Sequence, residues 1–73
     1  MDKEVFLKKL GERIRKIRKG KGITQVQLAH KIGKDQQVIA RLESGDFNPT
    51  SFLLYEVTVG LEVKLEDFFT DLE

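Results

Sequence analysis

Apolar residues recur every three or four positions over most of the chain, and each such stretch is closed by a glycine or opened by a capping residue. From Asp2 to Lys19 the stripe is Phe6, Leu7, Leu10, Ile14 and Ile17, one face of a helix that Gly20 and Gly22 end. Asp2 and Glu4 lie near its positive end and Arg18 and Lys19 near its negative end, as the helix dipole favours, while Gly11 weakens its interior. Thr24 with Gln27 three residues on is a capping-box pattern and predicts a short helix from Gln25 to Ile32. Gly33 supplies a residue able to take positive φ, and Asp35 is placed to cap another short helix that runs to Leu42 or Glu43 and is ended by Gly45. Asp46-Phe47-Asn48-Pro49 reads as a loop, with Asn48 as the cap and Pro49 as the first residue of a fourth helix reaching about Gly60. Val57, Thr58 and Val59 give that segment strand propensity as well. A last short helix is predicted from Leu65 to Phe69, with a fraying acidic end beyond it.

These elements describe one all-α domain spanning residues 1–73. A domain of this size buries only about 60% of the surface its unfolded chain exposes, so its core is thin. There is no cysteine and one histidine, His30 on a polar helix face, which leaves no disulfide, no metal site and no cofactor to reinforce the fold. The longest unbroken apolar run is Phe52-Leu53-Leu54-Tyr55, far too short to cross a bilayer, and the expectation is a soluble cytoplasmic protein. An enzyme is excluded on chemistry: no glycine-rich phosphate loop, no cysteine nucleophile and no histidine-acid constellation is present.

The formal net charge of +1 conceals a division. Residues 1–34 hold eleven Lys or Arg against three acids, a net of +8, whereas residues 35–73 hold two against nine, a net of −7. One end of the fold should therefore attract a polyanion.

The segment from Gln25 to Leu42 gives that end a shape: two short helices joined by a glycine turn, about residues 25–43. Ala29 is small where the helices would cross, Leu28, Ile32, Ile39 and Leu42 form a shared apolar face, and the outward positions of the second helix are polar. Here the chain strongly resembles the phage-repressor and Cro-type helix-turn-helix regulators, the xenobiotic-response-element family. The resemblance begins at Leu10-Gly11-Glu12-Arg13-Ile14-Arg15, passes through Arg41-Leu42-Glu43-Ser44-Gly45 and Asn48-Pro49, and finishes at Leu65-Glu66-Asp67-Phe68-Phe69. It implies a compact five-helix, lambda-repressor-like DNA-binding domain whose second motif helix enters the major groove.

Carried over by position, Gln36, Gln37 and Arg41 are the expected base contacts. A glutamine amide matches adenine N6 and N7, and an arginine fork matches guanine O6 and N7. The resemblance makes Gln25 a phosphate contact and Arg18 with Glu43 a bridging pair, the arginine also lying near a phosphate, and an exposed pair would add little stability. Lys19, Lys34, Asn48 and Thr50 are further phosphate candidates. Lys34 stands where relatives often carry an aliphatic residue, Lys64 replaces a usual capping residue, and Asp46 and Phe47 occupy a loop where relatives are often basic or polar.

On a helical wheel, the fourth helix turns Leu53, Leu54, Val57, Thr58 and Leu61 to the core. Its other side carries Phe52, Tyr55 and Val59 with Glu56 the only charge, and this second stripe, extended by Val63, Phe68 and Phe69, is expected to pair with a second copy. Residues of about 49–70 would then form the homodimer interface, and a two-fold protein implies a near-palindromic operator in double-stranded DNA. The alternative on the same scaffold is an interaction module of antitoxin type with a protein partner. A lone domain of this kind resembles the controller proteins of restriction-modification systems and small phage repressors.

Overall fold

The computed structural model describes residues 1–72 as four α-helices and one 3-10 turn. They are α1 (Lys3–Gly20), α2 (Gln25–Lys31), α3 (Gln36–Ser44), α4 (Ser51–Leu61) and the turn at Leu65–Phe69. No strand occurs among the described residues. The fold is all-α as expected, but the fifth element is not an α-helix. Asp67 closes it at short range: its N–H donates to the Lys64 carbonyl at 3.0 Å, and its Oδ2 accepts from the Lys64 N–H at 2.9 Å. This i to i+3 spacing produces the tighter coil.

Local capping chemistry sets most helix starts. Asp2 Oδ1 accepts from the Val5 N–H at 2.9 Å at the head of α1. The Thr24–Gln27 capping box is complete, with Thr24 Oγ1 accepting from the Gln27 N–H at 3.1 Å and Gln27 Oε1 accepting from the Thr24 N–H at 2.8 Å. Asp35 holds the N-cap position of α3 with extended backbone, yet its side chain makes no capping hydrogen bond. The cap of α4 is corrected as well. Thr50, not Asn48, fills it, its Oγ1 accepting from the Leu53 N–H at 3.0 Å, so Pro49 precedes the helix instead of opening it. Despite its β-branched residues α4 is helical throughout, because that periodicity places Leu53, Leu54, Val57 and Leu61 in the core.

Helix α3 packs on both α1 and α2, while α4 lies against α2 and the 3-10 turn lies against α1 and α4. The fully buried centre is Leu10 and Ile14 of α1, Leu28 of α2, Ile39 and Leu42 of α3, Val57 and Leu61 of α4, and Phe68. Phe68 therefore belongs to this chain's own core and not to an interface. Leu72 is buried too, so the described chain stays packed on the core to that residue. Arg13 Nε donates to the Asp67 carbonyl at 2.9 Å and ties the turn to α1.

Gly11, a weak point by helix propensity, is where α1 and α3 meet most closely. A Cβ there would lie 2.4 Å from the Glu43 carbonyl oxygen and 2.6 Å from that of Leu42. Only glycine lets the two backbones approach this far, which fixes the angle at which α3 leaves the domain.

Candidate nucleic-acid interface

Helix α3 turns Ile39, Leu42 and Glu43 inward and leaves Gln36, Gln37 and Arg41 exposed. Gln37 and Arg41 are four residues apart and share one outer face, with Gln36 at the first turn. The turn before it contains Gly33 at φ +69°, and the Lys34 N–H donates to the Ala29 carbonyl at 2.9 Å, so α2 and α3 are joined by a tight, bonded corner.

A buried ion pair anchors this helix from behind. Arg18 Nε donates to Glu43 Oε2 at 2.6 Å and Nη2 to Oε1 at 3.0 Å, while Nη1 donates to the Ile23 carbonyl at 2.8 Å. Both residues are only 6% exposed. The pair is thus not the weak surface bridge considered from sequence: its charges are desolvated and need each other. The structure also spends three donors of Arg18 inside the protein, leaving its guanidinium little surface for a phosphate.

From the pair a chain of amides runs outward. Gln25 Nε2 donates to Glu43 Oε1 at 3.0 Å, and Gln36 Nε2 donates to Gln25 Oε1 at 2.8 Å. The first turn of α3 is in this way wired to α1 through α2. Gln25 and Gln36, with Lys19, Thr24 and Val26, line a shallow open hollow beside α3. Among the described residues no buried side-chain nitrogen or oxygen lacks a hydrogen-bond partner, so the buried part of this polar network is satisfied.

The remaining predicted residues separate into groups. Lys19, Asn48 and Thr50 are exposed. Lys34 instead reaches α4, where its Nζ lies 3.3 Å from Glu56 Oε1, an engagement that sequence spacing did not reveal. Phe52, Tyr55 and Val59 project from α4 with 66%, 58% and 57% exposure and line a hollow with Lys31, Ile32 and Glu56. Val63 is half-buried against the core, and Phe69 stacks on Phe6 at 6.2 Å in a different hollow with Met1, Asp71 and Leu72. Among the described residues Phe69 therefore lines a different hollow from the three α4 residues, which lie together. Sequence reasoning missed Phe47, whose ring lies under Arg41 with 5.2 Å between guanidinium carbon and ring centroid. The signal was Gly45, which reverses the chain and returns the next residues toward the last turn of α3.

Two short helices at this crossing, with a polar outer face on the second, define a helix-turn-helix. A family model described as Helix-turn-helix matches residues 14–68, and the chain belongs to that family, of the phage-repressor and Cro type. An uncharacterized HTH-type transcriptional regulator of Archaeoglobus fulgidus is 39% identical over 57 residues, covering 78% of this chain and 81% of the relative. The regulator y4dJ of Sinorhizobium fredii is 35% identical over 63 residues, 86% and 82% of the two chains. Among solved structures, the restriction-modification controller protein C.AhdI from Aeromonas hydrophila superposes with a TM-score of 0.84 at 28% identity, covering 86% of this chain and 96% of that one. The controller C.Esp1396I gives 0.82 at 39% identity over 92% and 87%, and it has also been solved as a tetramer in complex with its natural 35 base-pair operator.

Proposed function

We propose that this protein is a transcription regulator that binds double-stranded DNA sequence-specifically as a homodimer, with α3 in the major groove. The observation that carries the reading is the division of α3: an anchored inner face, and an exposed outer face that carries Gln37 and Arg41, with Gln36 held by Gln25 at the first turn, toward base edges. Its relatives bear the names of transcriptional regulators, and a controller of the same fold is held on operator DNA. Phosphate contact falls to Gln25, Lys19, Asn48 and Thr50. Arg18 is a brace for α3, and Lys34 belongs to the α4 side through Glu56.

The patch of Phe52, Tyr55 and Val59 supports the dimer, since aromatic side chains exposed on one helix face gain most by meeting their two-fold copies. In that arrangement residues 25–43 read DNA and α4 pairs the protomers. Two recognition helices then enter successive major grooves about 34 Å apart, and the operator is a near-palindrome. None of the described helices is long and apolar enough to cross a membrane, and the proposed ligand puts the site of action in the cytoplasm.

Selection from random duplexes followed by a salt titration tests the reading. A palindromic consensus should emerge, and log affinity should fall against log salt with a slope of roughly −0.9 for each phosphate neutralised. An absence of consensus together with salt-insensitive binding would overturn it in favour of an antitoxin-type module that uses the α4 patch for another protein.

A further inference from the structure

Arg41 is a long, exposed side chain, and the chain beyond it folds back to bring an aromatic ring under its guanidinium. Gly45 ends α3 in the left-handed region at φ +78°, and two reversed hydrogen bonds follow: the Gly45 N–H donates to the Leu42 carbonyl at 3.3 Å and the Asp46 N–H to the Arg41 carbonyl at 3.0 Å. Ser44 Oγ donates to the same Arg41 carbonyl at 3.1 Å. A Cβ at Gly45 would come within 2.9 Å of the Lys8 backbone, so α1 presses the reversal from below. The chain therefore returns along a fixed path. Phe47, half-buried against the core, is delivered beneath the Arg41 guanidinium at 5.2 Å.

We propose that Phe47 is a positioning residue for specificity: its ring is the platform over which the Arg41 guanidinium is held and pre-aimed, so that residue 47 sets how strongly the operator's guanine is preferred. This rests on the reading of Arg41 as a base contact. The geometry suits the task, because a ring attracts a guanidinium through its face, whereas guanine O6 and N7 are gripped by the N–H groups around its edge. A guanidinium held over the ring face can keep its N–H edge turned outward. The contact also removes rotamers that a free arginine would lose on binding, and the attraction strengthens as DNA excludes water from the pair. Phe47 touches no base in this scheme and acts only through Arg41.

The test is a discrimination ratio. Affinities of wild type, Phe47→Leu, Phe47→Tyr, Arg41→Ala and Arg41→Ala/Phe47→Leu are measured for the selected operator and for the same duplex with the Arg41-dependent guanine replaced. The ratio of the two affinities is unaffected by any loss of folded protein, since both fall together. Phe47→Leu, which keeps apolar bulk but removes the ring face, should lower the ratio by about three- to thirtyfold, the range that cation–π attraction spans from exposed to desolvated sites. Phe47→Tyr should keep it, and Phe47→Leu should change nothing further once Arg41 is Ala. A ratio unchanged in Phe47→Leu, or lowered equally in the Arg41→Ala background, overturns the platform while leaving Arg41 as a base contact. A wild-type protein with no guanine preference dependent on Arg41 overturns both.

Discussion

Replacing Glu43 by Ala should strongly destabilise the domain, although Glu43 lies on a nine-residue helix and touches neither proposed base nor phosphate. The carboxylate accepts from Arg18 at 2.6 and 3.0 Å and from Gln25 at 3.0 Å. Without it the Arg18 guanidinium stays buried with only the Ile23 carbonyl at 2.8 Å. Leaving one member of a buried pair uncompensated costs about 3–5 kcal/mol. A chain of 73 residues has roughly 4–11 kcal/mol of total stability at the usual value per residue. The loss is therefore about a quarter of the total or more, and at about 4–8 °C per kcal/mol the melting temperature should drop by at least about 12 °C. Urea unfolding followed by far-ultraviolet circular dichroism measures it, with both proteins at one concentration because dimerisation itself raises stability. The double variant Arg18→Met/Glu43→Leu removes both charges and should recover stability to within about 1 kcal/mol of wild type or above it. It should still bind DNA poorly, since Gln25 and Gln36 lose their anchor. A loss in Glu43→Ala below about 1 kcal/mol, the value of an exposed pair, would refute the argument from burial.

Gly11→Ala gains about 1 kcal/mol of helix propensity, yet its methyl would strike carbonyl oxygens that have no rotamer to escape into, so a net loss of about 1–3 kcal/mol is expected from urea midpoints. Equal or higher stability would show that α1 and α3 are not held this close. Tyr55→Asp puts a charge in the α4 patch and should convert dimer to monomer in micromolar sedimentation runs; persistence of the dimer would exclude this face. Gln37→Ala should relax base preference at one operator position by a factor corresponding to about 1–3 kcal/mol, whereas Lys19→Ala should weaken all duplexes alike and flatten the salt slope. Equal behaviour of the two variants in competition assays would remove the division between base and phosphate contacts.

Sequence by itself determined much of what is written within one turn of helix. The Thr24–Gln27 capping box, the break at Gly33 and the end at Gly45 depend on neighbours three or four residues apart, so the helix-turn-helix and the outward set of Gln36, Gln37 and Arg41 were legible as a pattern. Even at short range two capping choices competed before α4, and the Thr50 hydroxyl prevailed over Asn48. What tertiary structure alone decided are contacts between segments far apart in the chain. Burial of the Arg18–Glu43 pair, the amide chain from Glu43 to Gln36, the capture of Lys34 by Glu56 and the division of the aromatic residues between core, α4 patch and Phe6 stack all depend on helix crossings. Those crossings follow from how closely backbones can approach at points such as Gly11, where periodicity signalled only a weak helix and packing required an absent side chain.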